Sequence, residues 1–334
     1  MIKFDYSVWF IVPSVDYHAG GINQIYKVCQ LFNEIGIKSK ILSSQVYPHS
    51  DPISLQQNWI KSDYGYHLDY HEIKEGDIVV QPEVWHWRYT ANVPIRRVTW
   101  IQGWSLSHTR SWQNHYWIIN NGTHTTFLID AIYNRISDIR KNLIPIDIPW
   151  NIWNTIEFIN KEKVHFSNVT PFLDKNDFIF NTDSDKIVIF NRKTSDIYDS
   201  ILNKFQDKVV VVENKTPEEV RKIMTKSGIL ILSSPAEGIC LPALEAILSG
   251  TVVVSWPCGG PEEYLIDNVT AMMVNPGDSN EMVNRIQYLL DNPDKRKQIS
   301  ENAYNLVSDL YTEEKTKKEL IFAYFNSLKL IPEL

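Results

Sequence analysis

Short, nearly continuous apolar runs alternate along this chain with longer stretches of helical period. Residues 7–13 read as a buried strand, a glycine turn follows, and residues 21–35 read as a helix. Further buried strands are expected over 37–42, 77–81, 97–101 and 116–119. In the second half, β-branched runs fall at 186–190, 208–212, 228–232, 251–255 and 271–274. Helices are expected over 216–226, with Pro217 in the first turn, over 242–248, and over 280–290, where Met282, Ile286 and Leu289 share one face. A last amphipathic helix is expected over 312–328. Apolar strands alternating with helices predict parallel sheets covered on both sides. Two such series in tandem predict an α/β protein of two Rossmann-like domains facing a cleft.

Length and residue distribution agree with two domains. The chain has 334 residues, and domains hold roughly 150 each. All nine His lie at or before His165, and ten of eleven Trp at or before Trp153, so the halves differ in character. The stretch 145–174 has no clear period and is read as the connection. The expected division is 1–165, 166–310, and a C-terminal helix over 311–334 that packs back on the first domain. A net charge of −7 with no Lys/Arg run argues against non-specific nucleic-acid binding and against a polybasic membrane patch. No apolar run is long enough for a membrane span, and Met1 to Phe10 reads as a first strand, not a signal peptide. Cys29, Cys240 and Cys258 are too far apart for a metal knuckle and odd in number, so a reducing, cytoplasmic setting is expected.

The candidate chemistry gathers after the strand at 228–232. Gly238, Ile239, Cys240 and Leu241 lead to Pro242, placed as the first helical residue, and Gly250 is placed to end the helix. None of the residues before Pro242 is a good N-cap, so the amides of the helix start lack an obvious side-chain acceptor, a place that suits phosphate as well as water. Glu237 in the loop and Glu245 in the helix form an E-x7-E pair that could grip sugar hydroxyls. The same positions also suit plain electrostatic capping. Arg192 and Lys193 follow the strand at 186–190; Arg can grip phosphate bidentately and Lys can act as a point charge. Gly20-Gly21 joins the first strand to the first helix and allows close backbone approach, without the G-x-G-x-x-G dinucleotide fingerprint. Asp183-Ser184-Asp185 precedes a strand and reads as a polar turn. His67 and His71 have no matching cluster and read as ordinary histidines.

The E-x7-E pair, the following TVVVSW strand, Cys258-Gly259-Gly260-Pro261-Glu262-Glu263-Tyr264 and Asn275-Pro276-Gly277-Asp278 occur in one order and spacing. The series resembles the C-terminal domain of retaining glycosyltransferases of the GT-B fold, glycosyltransferase family 4, over about residues 186–305. The resemblance implies that Glu245 holds the ribose hydroxyls of a nucleotide-sugar donor and that Glu237 contacts its sugar. It implies that the amides from Gly238 to Leu241 meet sugar and diphosphate, and that Gly20-Gly21 is the N-terminal glycine loop. Three positions depart from the family pattern. Cys240 stands for a usual glycine and would narrow the sugar pocket unless it is simply a buried thiol. Tyr198 stands for a usual Lys, which Lys193 would replace, and Gln102 stands where many relatives carry a His. His18, His86 and His108 remain candidates to line the cleft.

The expectation is therefore a metal-independent retaining hexosyltransferase that needs no cofactor. Glu237, Arg192 and Lys193 would be catalytic, the donor a UDP- or GDP-sugar, and the acceptor a glycan or other hydroxyl held by the first domain. A homodimer is compatible with this. A non-catalytic sugar-nucleotide-binding protein and a GT-B-fold sugar-nucleotide epimerase stay open as alternatives.

Overall fold

The computed structural model describes residues 4–13, 20–44, 66–67, 72–82, 93–100, 169–190, 197–234, 237, 239–258 and 260–329. It divides into two compact units: residues 1–170 with 314–334, and residues 171–313.

The first unit holds β1 (Val8–Pro13), α1 (Gly20–Glu34), β2 (Ser39–Ser44), β3 (Tyr66–His67), β4 (Ile78–Pro82) and β5 (Arg96–Trp100). All pairings are parallel, in the order β3-β2-β1-β4-β5. This is a doubly wound sheet whose strand order reverses between β1 and β4. Trp9, Ile11, Leu42, Ile73, Val79 and Ile95 form a buried cluster. Trp9 donates its indole N–H to buried Asp77 at 2.9 Å, and the backbone amides of Ser7 and Lys74 complete that carboxylate's shell at 2.9 and 3.0 Å. The strand expected over 116–119 lies outside the described residues.

The second unit holds β6 (Ile187–Phe190), α2 (Tyr198–Phe205), β7 (Val209–Val212), α3 (Pro217–Thr225), β8 (Ile229–Leu232), α4 (Leu241–Leu248), β9 (Val252–Ser255), β10 (Met272–Met273), α5 (Ser279–Asp291) and α6 (Pro293–Leu310). Its parallel sheet runs β10-β9-β8-β6-β7 and reverses between β6 and β8. Ile229, Leu230, Ile231 and Leu232 are all fully buried, as a central strand covered on both faces requires. Ala243, Leu244 and Ile247 of α4 and Ile299, Ala303 and Val307 of α6 belong to the same core. Full burial of side chains such as Leu244 or Ile247 contributes about 1.5–3 kcal/mol each.

The last helix, α7 (Glu313–Ser327), belongs almost wholly to the first unit. Tyr324 accepts from the Tyr6 amide at 3.0 Å and donates to the Tyr6 carbonyl at 3.1 Å. Lys317 pairs with Glu34 at 2.8 Å. Thr170, at the end of the first segment of this unit, is bound to the same helix. Its amide and hydroxyl donate to Glu319 at 2.5 and 3.1 Å, and Thr316 donates to its carbonyl at 2.7 Å. The expected amphipathic face is a mixed one: Thr316, Leu320 and Tyr324 are buried at i, i+4, i+8, whereas Phe322 is 60% exposed. Among the described residues no helix is long and apolar enough to cross a membrane.

Candidate functional site

In open α/β sheets, ligands bind outside the carboxyl ends of the strands where the strand order reverses. In the second unit those strands are β6 and β8. The chain leaves β6 at Phe190, directly before Asn191, Arg192 and Lys193, and leaves β8 at Leu232, directly before the loop that carries Glu237. Both candidate segments thus follow the two strands that flank the reversal. In the first unit the corresponding strands are β1 and β4, and Gly20-Gly21 opens α1 after β1. Arg192, Lys193 and Gly238 lie outside the described residues, as do Gln102, His18, His86, His108 and His71.

The loop after β8 is fastened to the loop after β9 at three points. Trp256 donates its indole N–H to the Ser234 carbonyl at 3.0 Å. The Glu237 amide donates to the Cys258 carbonyl at 2.7 Å, and the Glu237 carbonyl accepts from Gly260 at 3.1 Å. Tyr264 donates its hydroxyl to the Ile239 carbonyl at 2.6 Å. With both backbone groups of Glu237 engaged, the position of its half-buried side chain is set by the sheet and not by a free loop.

The start of α4 departs from an ordinary helix start. Its N-cap is Cys240, in the left-handed region at φ +55°, ψ +71°, and the thiol makes no capping bond. The helix begins at Leu241, one residue before the expected Pro242. The Cys240 carbonyl accepts from Ala243 at 2.9 Å and from Leu244 at 3.3 Å. A left-handed residue followed by a helical one turns successive amides the same way, a backbone arrangement that forms anion-binding concavities. Pro242 has no N–H, so Cys240 and Leu241 supply the amides of that arc.

Glu245 lies on the same face of α4 as Leu241 and Pro242, the three half-buried positions of a helix otherwise buried. Helical side chains lean toward the N-terminus, which directs this carboxylate back toward the first turn. The helix ends in a Schellman motif: Gly250, at φ +88°, donates to Ile247 at 3.0 Å and Thr251 donates to Ala246 at 2.9 Å.

Cys240 and Cys258 are both about 3% exposed and lie in the unit's core with Tyr264. Burial, and then the neighbouring Cys240, push the Cys258 thiol well above its ordinary range. Burial raises the Tyr264 phenol in the same way, so it stays a hydrogen-bond donor. Trp256, Cys258 and Tyr264 stand in the sequence motifs, but no local pattern gives them this anchoring role. A lone Trp in this half and a Tyr inside the glycine motif were the available signals. Asp185 is paired with Lys208 at the amino end of β6, away from the carboxyl edge.

Residues 197–306 match the family model described as glycosyl transferases group 1. The chain is 30% identical over 117 residues to D-inositol 3-phosphate glycosyltransferase of Corynebacterium urealyticum, covering 35% of this chain and 27% of that protein. It is 27% identical over 108 residues to MMP alpha-(1->4)-mannosyltransferase of Mycolicibacterium hassiacum, covering 32% and 26%. These matches span about a quarter of the length of those relatives. Among solved structures, sucrose-phosphate synthase from Thermosynechococcus elongatus superposes with a TM-score of 0.64 at 14% identity, covering 96% of this chain and 98% of that one. Anabaena Alr3699/HepE in complex with UDP and glucose gives 0.58 at 12% identity, covering 95% and 99%. The chain therefore has the fold of the GT-B glycosyltransferases, and its residues 197–306 match the group 1 glycosyl transferase family.

Proposed function

We propose that this protein is a metal-independent retaining glycosyltransferase of family 4. It moves a hexose-type sugar from a UDP- or GDP-sugar to a hydroxyl of a glycan or other acceptor. The observation that carries this reading is the E-x7-E pair at the start of α4, within the segment that matches group 1 glycosyl transferases. Two similar proteins, a mannosyltransferase and an inositol 3-phosphate glycosyltransferase, support a reading of sugar transfer.

In this reading Glu245 accepts hydrogen bonds from the donor's ribose hydroxyls, and Glu237 contacts the sugar. The amides of Cys240 and Leu241 meet the diphosphate. Arg192 and Lys193, following β6, supply positive charge to it, and Gly20-Gly21 brings backbone close to the donor. The bond between the anomeric carbon and the diphosphate oxygen breaks, and a bond from the acceptor oxygen forms on the same face. The acceptor's proton passes to the departing phosphate. Charge stabilisation of that leaving group, fixed in place before the reaction, supplies most of the rate. The first unit is assigned the acceptor.

The test is turnover of UDP- and GDP-sugars with and without a hydroxyl acceptor and a chelator, with the anomeric configuration of the product read by NMR. The expected result is acceptor-dependent transfer with retention, unaffected by chelator. Arg192→Ala should lower it by about 10²–10³-fold. Tight donor binding without turnover would favour a non-catalytic binding protein, and donor conversion without acceptor would favour an epimerase.

A further inference from the structure

Three non-glycine residues have positive φ among the described residues: Asn214, Cys240 and Asn268. Asparagine visits this region readily; cysteine does so seldom. Cys240 is thus the outlier, and it stands at the N-cap of α4, where its side chain does not cap. A strained backbone persists only where its surroundings over-determine it.

Those surroundings centre on Tyr264. Its ring is fully buried in the core. Its hydroxyl donates to the Ile239 carbonyl at 2.6 Å and lies 3.4 Å from the Cys240 carbonyl, so it meets the peptide on each side of the left-handed Cys240 α-carbon. Tyr264 is itself held. Its amide donates to Pro261 at 3.0 Å, and its carbonyl accepts from Thr270 at 2.6 Å. Its ring meets the ring of Tyr311 edge-on at 5.7 Å, and the Tyr311 hydroxyl donates to Glu263 at 3.3 Å. The hydroxyl therefore transmits a fixed position from the loop after β9 to the first amides of α4.

We propose that Tyr264 is the positioning residue of the donor loop, holding Cys240 in its left-handed turn so that the first amides of α4 stay aimed at the donor diphosphate. The link to the donor rests on the function proposed above; the latch itself does not.

The test is a cycle of Tyr264→Phe and Cys240→Gly, alone and together. Tyr264→Phe keeps the ring and removes the hydroxyl that donates to the Ile239 carbonyl. Glycine adopts the turn without strain, so it removes the need for that donor. Two readouts are taken on each chain: nucleotide-sugar affinity, and amide hydrogen exchange over residues 239–244. Tyr264→Phe is expected to weaken donor binding and to speed exchange in this segment, each about tenfold. In the Cys240→Gly background the same change is expected to alter either by less than twofold. Equal losses in both backgrounds, or no change in exchange in a folded Tyr264→Phe chain, would overturn the proposal. Faster exchange without weaker binding would overturn the link to the donor. If the unaltered chain binds no nucleotide sugar, the functional reading fails, while the exchange cycle still decides the latch. A Tyr264→Phe chain that folds only with Cys240→Gly supports it. Failure to fold in both backgrounds assigns Tyr264 to the core alone and overturns it.

Discussion

Gly250 shows how a single residue can be required twice. Its φ of +88° closes the Schellman motif of α4, and a Cβ there would lie 2.4 Å from the Asn181 carbonyl oxygen. Gly250→Ala is expected to cost on the order of 2–3 kcal/mol, from strain at positive φ and a backbone clash. A urea midpoint that does not move would contradict this. Cys29 offers a pH test. Burial pushes its thiol up to about 11, against a partly offsetting hydrogen bond from Ser39 at 3.2 Å. The unfolded thiol ionises near 9.0, so its contribution is fully present below that pH and is lost between about 9 and 11. Between those values the stability of Cys29→Ala should fall less steeply with pH than that of the unaltered chain; equal slopes would refute the assignment. At this scale the sequence already exposed Gly250 as the end of α4, because helix punctuation is a local signal, and carboxylate spacing put Glu237 and Glu245 forward as candidates. Tyr264 was invisible in its role, because a hydroxyl meeting a carbonyl 25 residues away leaves no mark on periodicity.

Among the elements, α3 was legible for a local reason. Thr216 caps it: the Thr216 hydroxyl accepts from the Glu219 amide at 3.3 Å, while the Thr216 amide donates to the Glu219 carboxylate at 2.8 Å, with Pro217 as the next residue. That amide holds the Glu219 carboxyl below its ordinary range. Thr216→Ala should lower stability by about 1 kcal/mol in chemical denaturation; an unchanged midpoint would show that the box contributes nothing. The 18-residue helix α6 is not legible from hydrophobic period, because its inward stripe is not apolar throughout. Arg296 and Ser300 are buried beside Ile299, Ala303 and Val307. Arg296 donates to the Leu289 carbonyl at 3.2 Å and Ser300 to the Gly250 carbonyl at 2.7 Å, so polar residues occupy positions that a hydrophobic pattern would need. The eight-residue α2 was missed as well; only Ile201 and Phe205 mark its buried face, too short a pattern for a period to emerge.

At the scale of the whole molecule, the chain returns through α7 to the unit in which it began. Tyr324→Phe would leave both the amide and the carbonyl of Tyr6 without this partner, which should destabilise the first unit by about 1–3 kcal/mol. Ten of the eleven tryptophans lie at or before Trp153, so tryptophan fluorescence reports this loss; an unaltered fluorescence transition would contradict it. The strand alternation made two parallel sheets legible, but the order within each sheet came only from the fold. That order shows that the two strands at the reversal are the ones that Arg192 and Glu237 follow in the sequence. The central claim is that a nucleotide sugar binds there, held by Glu245. The most direct measurement is calorimetric titration with UDP-, GDP-, TDP- and ADP-sugars in the presence of chelator, on the unaltered chain and on Glu245→Ala. One saturable donor is expected, weakened by about 1.5–3 kcal/mol in the variant. Binding by none of them, or equal affinity in a folded Glu245→Ala chain, would contradict it.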